Sequence, residues 1–322
     1  MISDMIPSSL HRSTLQITIV TAQDDIASKT IFNALLASYP FEIVSNHPLR
    51  HHNSIQSLHC CKLSEGSSSV HFLLINVLEK MTNLDEIISP TEMPGDLLIF
   101  ASRHQSKSGR PSLMCHTTGN LNEDIAGGGQ PFRISIGTGI VLHYFFTLLS
   151  QYSTERSFGV PVHHEVDHHG PTEYLQPLVY IEQGSSEDAW KDPIGAKIIA
   201  DVIMKTGIIL TTSHYHGNQW DKKDLKICVG FGGGHYMPSF TPLISLGYSF
   251  VHTVPKYKIL DLTSTMIEQI QQRTLEPIDF WVLDWKGLKS ADKQHLIPLL
   301  EQTGIPIKKT KELRKLFPTL PK

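Results

Sequence analysis

Apolar positions along this chain come in short blocks separated by stretches of helical period. Leu15–Thr21 is a β-branched run that predicts a first strand, and Asp24 or Asp25 stands where the N-cap of a following helix belongs, a helix reaching Leu36. Val70–Val77 and Asp96–Ser102 predict two more strands, nearly continuous in apolar residues rather than alternating. Ile140–Gln151 reads as an apolar helix, Leu178–Glu182 as a strand, and the stretch from about Glu187 to Lys205 as the helix behind it. Leu225–Phe231 predicts a strand that runs straight into Gly232-Gly233-Gly234. Ile278–Leu283 predicts a last strand, followed by a helix over Ser290–Gln302. Strands without strict alternation, separated by helices, are covered on both faces. The expected fold class is therefore α/β, three layers about a mixed sheet. One catalytic unit over 14–307 is expected, with a composition break near 153–159 that would allow two subdomains, then a basic tail over 308–322. Segment 45–69, polar and rich in His and Ser, reads as an exposed insertion or hairpin.

Composition narrows the class. Of 322 residues 40 % are hydrophobic, enough for a sizeable core, so wholesale disorder is excluded. The longest apolar stretch, Ile140–Leu149, is broken by His143 and falls far short of the ~20 residues of a membrane span. The N-terminus has no apolar core of a secretory leader. Cys60 and Cys61 are adjacent, Cys115 and Cys228 stand alone, and no Cys-x-x-Cys occurs, which argues against a disulfide framework or a thiolate zinc site. A reducing, cytoplasmic location is expected. The net charge of −3 conceals an asymmetry: in 308–322, Lys308, Lys309, Lys311, Arg314, Lys315 and Lys322 face Glu312 alone, a local +5 on a body near −8. Such a tail suits a protein that holds one polyanion at one place, although a solvated C-terminal helix would carry the same residues.

The chemistry concentrates in three segments. Segment 161–171 holds His163, His164, His168 and His169 within seven positions, where the chain's own frequency of 18 in 322 would place about 0.4. Glu165 and Asp167 sit between them. Neutral imidazole is the commonest metal ligand, and a spare carboxylate beside it can act as general base, whereas a surface histidine cluster is the bland alternative. His164-Glu165-Val166-Asp167-His168 is also a literal His-Glu-x-x-His, the signature of a zinc-dependent peptidase. That motif works only on a helix, and Pro161 and Gly170-Pro171 leave it two turns at most. Segment 230–238 places His235 just after Gly232, Gly233 and Gly234; a dinucleotide fingerprint would need glycine where His235 stands. The glycine amides could cradle a phosphate or a developing oxyanion, or simply make a tight turn. In segment 102–120, Arg103, Lys107 and Arg110 suit phosphate oxygens, and Thr117, Thr118 and Asn120 beside His116 form a polar wall. No Gly-x-Ser-x-Gly elbow and no Gly-Lys dipeptide occur, which excludes an α/β-hydrolase serine and a P-loop. Cys115 reads as structural rather than as a partner of His116. These residues favour a metal- or histidine-assisted hydrolase acting on a phosphate-bearing substrate.

In order, the three segments read SRHxSxSGxPxLxxHTTGN, HHExDHHGPT and VGFGGGHYxPxF, and together they resemble the archaeal and plant type of D-aminoacyl-tRNA deacylase. The resemblance implies an α/β fold akin to peptidyl-tRNA hydrolase and phosphorylase-like proteins. It implies hydrolysis of the ester joining a D-amino acid to the 3′ acceptor end of tRNA, in plants also of aldehyde-modified D-aminoacyl-tRNA, with zinc as cofactor. On that reading the metal ligands come from His163, His164, His168, His169 and His235. Glu165 or Asp167 is base or support, His116 and Thr118 line the reaction site, and the amides of Gly232–Gly234 receive an oxyanion or phosphate. Arg103, Lys107 and Arg110 near the site, and Lys308, Lys309, Arg314 and Lys315 farther out, would hold the RNA.

Overall fold

The structure is a computed structural model that describes residues 14–66, 68–211, 215–216, 219–220 and 224–315. Its strands are β1 (Thr14–Ala22), β2 (Glu42–Ile43), β3 (Ile55–Glu65), β4 (Ser68–Val77), β5 (Leu97–His104), β6 (Ser112–His116), β7 (Gly119–Asn120) and β8 (Arg133–Ile134), then β9 (Val162–His164), β10 (Leu178–Gly184), β11 (Tyr215–His216), β12 (Gln219–Trp220), β13 (Lys226–Phe231), β14 (Tyr248–Val254), β15 (Phe280–Leu283) and β16 (Ile307–Lys309). The helices are α1 (Ile26–Ser38), α2 (Gly139–Glu155), α3 (Glu187–Lys191), α4 (Pro193–Ile209), α5 (Thr241–Ile244), α6 (Ser264–Gln272), α7 (Ser290–Glu301) and α8 (Thr310–Lys315).

A mixed eight-stranded sheet in the order β2-β3-β4-β1-β5-β10-β6-β9 dominates the fold. Its centre, β4-β1-β5-β10, is parallel, and β6 joins β10 antiparallel. Successive residues of the central strands feed different layers. Ile17, Ile19, Leu97 and Ile99 pack with α1, α2 and α4 on one face, while Val20, Leu98 and Phe100 pack with Met81, Leu84 and Ile88 on the other. This two-sided burial explains why these strands read as apolar runs without alternation. Asp25 caps α1 by accepting from the Ser28 amide at 2.9 Å. The helix expected over Glu187–Lys205 is split at Asp192-Pro193: Asp192 caps α4 through the Ile194 amide at 2.8 Å, and Pro193 takes the first helical position. Within the polar 45–69 stretch, β3 forms a hairpin with β4.

A second, wholly parallel sheet, β14-β13-β15-β16, stands beside the first. Helix α2 lies between them, and one hydrophobic core runs from Ile17 and Ile99 through Phe145 and Leu149 to Val229 and Trp281. The segments flanking 153–159, α2 and β9, both pack at the β6 edge of the large sheet, and the chain enters the small sheet only at Lys226. Of the basic tail, residues 308–315 form the end of β16 and α8, and 316–322 lie outside the described residues. Among the described residues no helix is long and apolar enough to cross a membrane.

Candidate active site

The two sheets meet at the carboxyl ends of β5, β10 and β13, where loops of parallel α/β sheets collect ligands. Strand β5 ends in His104, paired across the sheet with Gly184 of β10, and Glu182 stands two pairs earlier, on the same face. On the other side of β10, His116 closes β6 opposite Tyr180. After β9 the chain leaves the sheet as the irregular stretch Glu165–Gly170. That stretch is pinned from both sides: the Glu165 amide donates to the Cys115 carbonyl (3.1 Å), Val166 to the His235 carbonyl (3.1 Å) and Asp167 to the Thr253 carbonyl (3.0 Å). The large sheet thus supplies His104, His116 and Glu182, the connecting stretch supplies Glu165, His168 and His169, and the small sheet supplies His235.

Glu165 is the focus, with no exposed surface. Its Oε1 lies 3.0 Å from His235 Nε2 and its Oε2 3.4 Å from His104 Nδ1, yet neither oxygen accepts a hydrogen bond of good geometry. His104 Nδ1 is also 3.3 Å from Glu182 Oε2, and Glu182 Oε1 accepts from Ser102 Oγ at 2.7 Å. Burial alone would raise the carboxyl of Glu165, but His104 and His235 outweigh it and hold the group well below the usual carboxylate range. Burial likewise depresses His104, and the two carboxylates overturn this, pushing it up to about 11.

Three other imidazoles have their tautomers fixed by geometry. His116, His168 and His169 each turn Nδ1 to a backbone carbonyl, of Thr117 (3.0 Å), Val166 (2.8 Å) and Gly170 (2.7 Å) respectively. A carbonyl can only accept, so each Nδ1 carries a proton. On His168 and His169 Nε2 keeps a lone pair, the orientation in which histidine ligates a metal, whereas for His116 burial is outweighed by Glu182, 3.9 Å from Nε2, which raises the imidazole above its ordinary value. Burial holds His168 well below its ordinary value and His169 down at about 4, which keeps both neutral. His116 Nε2 is buried without a hydrogen-bond partner. Ligand atoms of His116, His168 and His169 lie within 4.8 Å of one another, and so do those of Glu165, His168 and His235, and of His104, Glu165 and Glu182. A fully buried carboxylate with two unbonded oxygens beside neutral imidazoles is a donor set that fits zinc.

The residues singled out from sequence divide clearly. Glu165, His116, His168, His169 and His235 converge. His163 and His164 alternate on β9 and point to opposite faces. His163 packs its ring on Tyr236, 5.1 Å between centroids, and His164 is buried, its imidazole pushed down to about 3 by burial and by His116. Neither is in a metal-capable group among the described residues. Asp167 faces away from Glu165: its Oδ1 accepts the Thr253 amide at 2.9 Å and its Oδ2 lies 2.5 Å from His252 Nδ1, which ties the stretch to β14. Thr118 donates to the Pro171 carbonyl at 2.6 Å, a role in holding the His168 loop. The Gly232 amide is used on the Val254 carbonyl (2.8 Å), which removes it from the oxyanion or phosphate donors and leaves Gly233 and Gly234. Arg103 is exposed, 3.8 Å from Asp25, and Lys107 and Arg110 lie on the exposed β5–β6 loop. Lys308, Lys309, Arg314 and Lys315 lie on β16 and α8, Arg314 donating to the Ser239 carbonyl at 3.1 Å. Sequence reading missed His104, Glu182 and Tyr236, whose hydroxyl is 3.3 Å from His104 Nε2.

One glycine is required by this site. A Cβ at Gly184 would stand 2.4 Å from the His104 carbonyl oxygen and 2.7 Å from its Cβ. Gly184→Ala must therefore push the end of β5 aside and move His104 out from between its carboxylates. An activity loss of about 100-fold, the scale of a 1 Å misplacement, is expected in steady-state kinetics. Unchanged kinetics would show that His104 need not be held there.

Comparison with known proteins follows the same residues. The family model for D-aminoacyl-tRNA deacylase matches residues 91–308, more than half of the chain. The chain belongs to this deacylase family. The match spans every residue of the converged cluster, from His104 to His235. A D-aminoacyl-tRNA deacylase of Methanosarcina barkeri is 29 % identical over 306 residues, 94 % of this chain and 92 % of its own length. That of Methanocaldococcus jannaschii is 34 % identical over 218 residues, 65 % of this chain and 80 % of its own length. A crystal structure described as a conserved protein of unknown function, AF0625, superposes with a TM-score of 0.76 at 24 % identity, covering 95 % of this chain and 99 % of the other, which shows the fold to be shared. Membership in the deacylase family and the geometry both displace the peptidase alternative. His164 ends a strand and Glu165–His168 is not helical, so the two histidines of the His-Glu-x-x-His string never share a helix face.

Proposed function

We propose that this site hydrolyses the ester between a D-amino acid and the 3′ end of tRNA, including aldehyde-modified D-aminoacyl groups, as a proofreading step of cytoplasmic translation. Family membership supports the reaction. The observation that carries the chemistry is the buried Glu165 carboxylate, ionised, without hydrogen bonds of its own, and aimed between His235 and His104. An aminoacyl ester is already reactive, so the protein needs a positioned base, donors for the oxyanion and a shaped cavity. Glu165 takes a proton from water as the water oxygen bonds to the ester carbonyl carbon, and that proton passes to the ribose oxygen as the acyl–oxygen bond breaks and tRNA leaves. The Gly233 and Gly234 amides are the oxyanion donors, and His104, locked by Glu165 and Glu182, orients the base and the Tyr236 hydroxyl at its other nitrogen. Arg103, Lys107 and Arg110 hold RNA phosphates beside the site, with Lys308, Lys309, Arg314 and Lys315 farther along.

Zinc is proposed as the resident metal, on Nε2 of His116, His168 and His169, with Glu165 and His235 close by. When bound it supplies Lewis-acid polarisation near neutral pH. The test is release of D-tyrosine and L-tyrosine from charged tRNA, with metal content measured on the same samples. D-selective release and zinc retained through gel filtration are expected, both lost after chelation and both restored by added zinc. D-selective release from metal-free protein would leave the histidines as scaffold and remove zinc from the reading. Release from neither ester would overturn the deacylase assignment.

A further inference from the structure

The carboxyl edge of the small sheet carries a second set of residues that the hydrolytic site does not use. Three loops leave this edge side by side. The glycine turn after β13 bears His235; the loop after β14 reads Lys256-Tyr257-Lys258; the loop after β15 reads Trp285-Lys286-Gly287-Leu288-Lys289. They are bonded into one surface. Lys256 donates its amide to the Gly233 carbonyl at 3.1 Å, and Asp284 donates its own to Phe231 at 2.9 Å. Asp284 also accepts from Ser239 Oγ at 2.8 Å, behind the turn. Tyr257 is 59 % exposed and Trp285 37 % exposed. The Lys309 and Lys293 ammonium groups stand over the Trp285 ring, 4.1 and 4.6 Å from its centroid. Tyr257 directly follows Lys256, whose amide hydrogen bond to Gly233 sets it beside the turn that bears His235.

Lysines outnumber carboxylates on this edge. Lys256, Lys258, Lys286, Lys289, Lys293 and Lys309 reach it, and none has a carboxylate within salt-bridge distance among the described residues. The acids beside them are committed: Asp284 to Ser239, Asp292 to the Lys289 amide (2.7 Å), Glu312 to the Lys309 amide (2.9 Å) and Asp261 to Asn122 (3.0 Å). An exposed aromatic ring beside a hydrolytic site, followed by lysines on a body of net negative charge, is the arrangement that takes single-stranded nucleic acid: rings stack bases and ammonium groups meet phosphates.

We infer that this edge binds the unpaired 3′ segment of the RNA substrate, with Tyr257 stacking a base next to the site and Trp285 holding Lys293 and Lys309 in place as a phosphate clamp. The inference rests on the aminoacyl-tRNA reading and adds the surface and the roles. The test is affinity of the full-length protein for uncharged tRNA, either intact or trimmed of its unpaired 3′ nucleotides, across a salt series. Tyr257→Ala is expected to weaken binding of intact tRNA about ten-fold and leave trimmed tRNA unaffected, while Tyr257→Phe binds as wild type. Lys293→Ala with Lys309→Ala is expected to lower the salt slope for intact tRNA by about 1.4, at about 0.7 per phosphate contact on a single strand. Equal effects on both RNAs, or an unchanged slope with unchanged affinity, would overturn the inference. A wild-type protein that shows these binding differences yet releases no D-amino acid would sink the deacylase reading and leave the RNA surface standing.

Discussion

Glu165→Gln is expected to lower kcat for D-aminoacyl-tRNA by about 10²–10⁴-fold, the contribution of a positioned general base, while the protein folds as before. The substitution keeps shape and volume and removes only the charge. The backbone around it is set independently of the carboxylate, by the amides of Glu165, Val166 and Asp167 bonding to three separate strands and turns. What changes is the ability to accept a proton. Stability should fall as well. His104 and His235 hold the Glu165 carboxyl well below its range in the unfolded chain, so the ionised form contributes stability at neutral pH that is lost only as pH falls through the folded value. Metal-free Glu165→Gln, which lacks that charge, is expected to melt below wild type. Kinetics and a thermal melt on the same preparation check both halves. Wild-type turnover in the Gln variant would remove Glu165 from the role of base. Asp167→Asn strikes the tie to His252 and Thr253 instead, and its activity loss should also come with a lower melting temperature.

The strands legible from sequence were those with near-continuous apolar runs, β1, β4, β5, β10, β13 and β15. β14 was missed because Ser249, His252 and Thr253 interrupt its pattern although all are buried. The Ser249 hydroxyl is used on Gly139 and the His252 ring on Asp167 and Arg273, partners no local pattern displays, while the Thr253 hydroxyl has no hydrogen-bond partner among the described residues. The site follows the same rule. The density of histidine in 161–171 identified the right segment, but not which side chains converge. An irregular stretch sends Glu165 and Asp167 in opposite directions, and β9 sends His163 and His164 to opposite faces. His104 and Glu182 lie in separate strands 78 positions apart and meet only through the β5–β10 pairing. One signal was available: Glu182 is a charge inside the fully buried strand LVYIEQG, and a charge in a strand covered on both faces needs a partner.

Glu276→Ala is expected to destabilise the protein by roughly 3–5 kcal/mol. Helix α2 joins the two sheets, and its first turn is buried where water cannot satisfy the free amides. Glu276, 4 % exposed, reaches in from the chain after α6: its Oε1 accepts from Thr138 Oγ1 (2.7 Å) and the Ile140 amide (3.1 Å), and its Oε2 from the Gly139 amide (2.9 Å). Alanine leaves three buried donors unpaired, each costing about 1–3 kcal/mol less whatever relaxation recovers. Glutamine separates hydrogen bonding from charge. Its carbonyl oxygen can serve Thr138 and Ile140, but its amide nitrogen then faces the Gly139 N–H, donor against donor, so a smaller loss of about 1–2 kcal/mol is expected. Denaturant unfolding of the three proteins reads the order wild type, Gln, Ala. Ala equal to wild type would show that α2 is held by its apolar contacts alone. Because α2 spans the junction at which β6 and β14 present His116 and the clamp on Asp167, the Ala variant should also lose activity at temperatures below its own melt. A helix start loosened there reaches the site through both sheets at once.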